Sequence, residues 1–109
     1  MALDMANLGP DTTGIGAYIH VFQDVNRRAR HGPRIKVFPG NPGHGGATVV
    51  VVPTAVGQCA RIAGKMTVRP ATLRRALRFA EINWKPLLRY WRDATMTTAD
   101  LLDLLEPAE

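Results

Sequence analysis

The chain reads as an α+β domain, a small antiparallel sheet of three to four strands followed by a kinked C-terminal helical segment packed on one face. Three observations predict it. Segments alternating with period two fill the first half, an apolar stripe at helical spacing fills the second, and glycines and prolines punctuate the joints. Strands first and helices after is the order of an α+β fold, not of alternating βαβ units.

Residues 1–13 have no period and carry the turn signal Gly9-Pro10-Asp11, which predicts a flexible N-terminal arm. Residues 14–109 then form a single domain whose final segment, 93–109, is acidic. From Ile15 the chain alternates, with Ile15, Ala17, Ile19 and Val21 on one side and Tyr18, His20 and Phe22 on the other. That is a strand with one apolar and one aromatic-rich face. Asp24 to Pro33 is polar and basic, a loop. Arg34 to Phe38 alternates again, so Ile35 and Val37 oppose Arg34, Lys36 and Phe38.

Pro39 to Gly46 is a glycine- and proline-rich loop. Thr48 to Val52 is apolar on both faces, the mark of a central, covered strand. Gln58 to Ala63 reads as a short further strand between Gly57 and Gly64, with Cys59 as a small buried thiol. Pro70 suits a first helical position. Leu73, Leu77, Ala80, Trp84, Leu87 and Trp91 then recur at three- and four-residue steps. Pro86 predicts a kink or break near Asn83, with Asn83 as cap of the second piece. Thr97 or Thr98 would cap a last short helix over Asp100 to Leu105.

Composition excludes several classes. With 46% hydrophobic and 21% charged residues in 109, the chain is no disordered segment. One cysteine excludes a disulfide framework and a multi-thiolate zinc site. No apolar run approaches the roughly 18 residues of a membrane span. No basic region precedes an apolar stretch, so the expectation is a bacterial-type cytoplasmic protein without membrane contact.

The net charge of +5 conceals an asymmetry. All 14 basic residues lie between Arg27 and Arg92, where Glu81 is the lone acid, giving that stretch +13. The flanks before and after it carry −3 and −5. Such a block attracts polyanions or acidic protein surfaces, unless the acidic tail folds back and shields it.

Within the basic body, Arg34 and Lys36 project from one strand face, a fork beside a point charge that suits phosphate or carboxylate. Arg74, Arg75, Arg78, Lys85 and Arg89 flank the helical stripe, with Arg74 and Arg78, and Lys85 and Arg89, one turn apart. Glu81 is placed to pair with Lys85 and Arg78. Trp84 and Trp91 lie on the apolar stripe and read as packing residues. The Gly40 to Gly46 loop lacks the Lys-Ser/Thr of a phosphate-binding loop. No metal or cofactor site is legible. His31 and His44 flank the second strand and would, beside Arg34, permit metal-independent RNA cleavage with His as base.

At Pro33-Arg34-Ile35-Lys36-Val37 the chain resembles a small bacterial family, the domain of unknown function four-one-six-zero. Members typically read Pro-His-Ile-His-Val there, followed by a helix of the Arg-Ala-Leu…Trp…Leu-Leu…Trp type. Arg75-Ala76-Leu77, Trp84, Leu87-Leu88 and Trp91 match that pattern here. The resemblance spans roughly Ile15 to Asp93. It implies one half of a two-gene, toxin–antitoxin-like pair, with a small partner encoded nearby. The family's two histidines are replaced by Arg34 and Lys36, which turns any imidazole chemistry into an anion contact.

The expected function is therefore a non-enzymatic basic module engaging nucleic acid or an acidic protein partner. Arg34, Lys36, Arg74, Arg75, Arg78, Lys85 and Arg89 would make the contacts. Two alternatives stand beside it. One is a ribonuclease-type toxin using His31 or His44. The other is a homodimer in which the acidic, leucine-bearing tail docks on the basic face of a second copy.

Overall fold

The computed structural model describes residues 5–8, 14–15, 17–23, 33–39, 46–93 and 95–107. Among these, five strands make one antiparallel meander: β1 (Met5–Leu8), β2 (Tyr18–Phe22), β3 (Arg34–Phe38), β4 (Thr48–Val51) and β5 (Arg61–Ala63). Three helices follow: α1 (Pro70–Ile82), α2 (Trp84–Arg92) and α3 (Thr98–Leu104). The α+β architecture is as the alternation and helical stripe predict. Among the described residues, no helix is long and apolar enough to cross a membrane.

The register explains the layers. Val21, Ile35, Val50 and Ile62 lie side by side across β2 to β5, as do Ile19, Val37 and Thr48 across β2 to β4. Opposed residues of an antiparallel pair share a face, so these rows form one apolar surface. The helices cover it, α1 over β4 and α2 over β2. Ala76, Phe79 and Ala80 of α1, Leu87 and Tyr90 of α2 and Leu101 of α3 close one core with Ile19, Val21, Ile35, Val37 and Val50. Phe79 is fully buried; cutting such a ring to alanine costs about 3–5 kcal/mol through lost transfer energy and the cavity left.

Local chemistry sets the helix ends. Arg69 is extended, as the residue before a proline prefers, and Pro70 opens α1 without wasting an amide. The expected break falls at Asn83, which separates α1 from α2 and leaves Pro86 in the first turn of α2, where it interrupts no ladder. Thr97 caps α3 in a reciprocal box with Asp100.

Several expectations are corrected. Met5–Leu8, read as part of a flexible arm, pairs with β2 as an edge strand, adding a fifth strand to the four read from the sequence. Four residues are too few for alternation to declare a strand; here the neighbour's open edge defines it. Among the described residues, helices cover the valine strand β4 on one side only: Val50 is buried there, while Val49 and Val51 on the other side are half-buried. Cys59 is exposed and precedes β5 instead of lying in it. Asn83 does not cap α2 with its side chain. Its Nδ2 donates to the Phe79 and Glu106 carbonyls at 3.0 and 2.7 Å, and its Oδ1 accepts the Glu106 amide at 2.7 Å. A buried amide thus fastens the tail to the helix break. Gln23 acts likewise at the end of β2, donating to the Asp93 and Met96 carbonyls at 2.9 and 2.7 Å.

Candidate nucleic-acid interface

All three helices lie on one side, so the sheet's other face carries the residues that alternate with the core. On β2 these are Tyr18 and His20, on β3 Arg34, Lys36 and Phe38, on β4 Val49 and Val51, and on β5 Arg61 and Ala63. Pairing arranges them in rows: Tyr18 beside Phe38; His20, Lys36, Val49 and Ala63; and Arg34, Val51 and Arg61. Strand spacing puts the Arg34 and Arg61 backbones about 10 Å apart, and Arg34 to Lys36 spans about 7 Å along β3. Lys36 thus sits between the ring of His20 and Val49, and Arg34 and Arg61 flank Val51.

Within this face the His20 and Phe38 rings meet edge to face, their centroids 4.7 Å apart. Phe38 is buried by its surroundings, whereas Tyr18, His20, Arg34 and Lys36 stay half-exposed. Partial burial, and then the Lys36 ammonium across the strand, lower the His20 pKa below its usual 6.5. His20 is therefore neutral at pH 7, a flat aromatic surface and not a fourth cation.

The structure divides the sequence-derived set in two. Arg34 and Lys36 share the open sheet face. Arg74, Arg75 and Arg78 are exposed on α1, and Lys85 and Arg89 on α2, all on the helical side. One continuous surface joining the seven is thus not formed. Arg89 is also partly neutralised by its own chain: its Nε lies 3.8 Å from the Asp93 carboxylate, and its charge reaches Asp100 as well. Glu81, expected to pair with Lys85 and Arg78, instead accepts the Ala60 amide at 3.2 Å and ties the approach to β5 onto α1. Trp91 is buried, while half-buried Trp84 has the Lys85 ammonium 5.7 Å from its ring centre.

Sequence reasoning missed Tyr18, His20 and Arg61 as members of the sheet site. The aromatic side of β2 was visible in the alternation, but only the register sets it beside Arg34 and Lys36. Arg61 gave no signal, because a three-residue strand does not reveal which face of its neighbour it joins. His31 and His44, the histidines of the ribonuclease alternative, lie outside the described residues.

Comparison with known proteins returns no match to a family model, a curated protein or a solved structure.

Proposed function

We propose that this chain is a small basic binding module that takes a single-stranded nucleic acid across the sheet face that none of the described helices covers. The observation that supports this reading is that register sets Arg34, Lys36 and Arg61 on one sheet face with Tyr18, His20, Val49 and Val51. Cations following a backbone beside rings that stack on bases are the two requirements of single-strand binding. A broad sheet face suits splayed bases, as in the sheet modules whose aromatics stack two or three of them. An acidic protein surface would satisfy the cations but would make no stacking use of the rings. The half-exposed valines also favour a partner with flat apolar faces. The module binds without chemistry of its own.

Fluorescence anisotropy with a labelled mixed-sequence single strand tests the reading. Tyr18→Ala weakens binding by about 1–3 kcal/mol, the worth of one stacked base, and Tyr18→Phe restores most of it. An unchanged affinity in Tyr18→Ala, with the fold intact by circular dichroism, would argue against base stacking on this face. The resemblance to the four-one-six-zero family supports the added proposal that the module is half of a toxin–antitoxin-like pair. Copurification with the product of an adjacent small gene tests that separately.

A further inference from the structure

The helical side carries a surface that the nucleic-acid reading does not use. Along the outer face of α2 runs a shallow groove of about 550 Å³ lined by Trp84 and Leu88, by Lys85, Arg89 and Arg92, and at its end by Asp93 and Thr95. A second hollow of about 250 Å³ continues it through Lys85, Pro86 and Arg89 to Leu104 of α3. Around Leu104 the rim changes sign, because the exposed charges of α3 and its tail are Asp100, Asp103 and Glu106; Asp100 is engaged in the Thr97 cap, which leaves Asp103 and Glu106 facing outward. Leu102 and Leu104 are 41% and 49% exposed on this helix. Leu101 is buried in the chain's own core and the Asn83 clamp holds Glu106, so the tail is already docked, with Leu104 left exposed on the flank that borders the hollow and Leu102 on the other flank.

We infer that this α2–α3 face is the interface of a symmetric homodimer, in which the α2 groove of each copy receives Leu104 of the other's α3. A two-fold interface demands a surface that is its own complement. An apolar centre with a basic half on α2 and an acidic half on α3 meets that demand: the rotation sets Lys85 and Arg92 of one copy against Asp103 and Glu106 of the next. The same arrangement disfavours an unrelated acidic helix, which would meet the acids of α3 beside the groove. Arg89 and Asp93 pair within one chain and add little across the interface.

Sedimentation velocity on the full chain reads the outcome. Wild type shifts from monomer to twice its mass as concentration rises. Lys85→Glu/Arg92→Glu and Asp103→Lys/Glu106→Lys each weaken association at least tenfold by placing like charges opposite. Mixed in equal amounts, the two variants dimerise as wild type does, because every contact in the heterodimer is then between opposite charges. Circular dichroism confirms that each variant is folded. A wild type monomeric at all concentrations would overturn the inference. So would a mixture that associates no better than either variant alone, or variants that dimerise unimpaired.

Discussion

At the scale of single residues, buried amides and half-buried rings do work that the charge pattern of the sequence does not announce. Asn83 is 1% exposed and joins the end of α1 to the tail through three hydrogen bonds. Asn83→Ala strips the Glu106 amide of its partner, so urea unfolding should register a loss of about 2–3 kcal/mol. His20 gives a pH prediction whose sign is fixed by its lowered pKa. The native state favours the neutral ring, so stability is complete above the unfolded value of 6.5 and declines as pH falls from there through the folded value. A bound phosphate backbone favours the charged ring, so binding takes up a proton and affinity rises as pH falls through the ring's value in the complex. The NMR midpoint of His20 should lie below 6.5 in the free protein and move upward with oligonucleotide. His20→Gln should flatten the pH dependence of affinity; an unchanged dependence would remove His20 from the interface. Asp93 and Asp100 act at lower pH. Hydrogen bonds from the Thr95 hydroxyl and amide depress the first, and those from the Thr97 amide and hydroxyl the second. Their contribution is present above 3.8 and lost as pH falls through the folded values below it.

At the scale of elements, α3 depends on its ends. It has seven residues, and the Thr97–Asp100 box satisfies amides that so short a helix cannot satisfy internally. Thr97→Ala should cost about 1 kcal/mol in chemical denaturation, and Thr97→Ser far less. This helix was legible in the sequence because the threonine, the acid three places on and the leucines all state it locally. So were β3 and the break at Asn83, where alternation and a proline act at short range. The edge strand β1 was not, because its existence depends on β2. Nor was the exposure of Val49 and Val51: four consecutive valines state that both faces are apolar, but not that helices cover only one. Local pattern gives the faces of an element, and tertiary pairing decides what each face meets. The candidate site suffered for the same reason. Arg34 and Lys36 were visible as a pair, whereas their neighbours Tyr18, His20 and Arg61 are brought in by strands up to two places away.

At the scale of the whole molecule, the +13 body is one block along the chain, but its described members on β3, β5, α1 and α2 form two surfaces in space, divided by the sheet and its core. The sheet side combines cations with aromatic and valine surface. The helical side combines cations with a groove and with the acids of the tail, which partly neutralise it. The central claim, that the nucleic acid binds the sheet side, predicts which cations matter. The deciding measurement is the salt dependence of single-strand binding, starting at about 50 mM salt, for wild type and two triple variants. Removing three phosphate contacts by Arg34→Ala/Lys36→Ala/Arg61→Ala should flatten the slope of log affinity against log salt by about 2. Arg74→Ala/Arg75→Ala/Arg78→Ala removes as much charge from the helical side and should leave the slope nearly as in wild type. Equal losses in the two variants, or a larger loss in the helical one, would contradict the account.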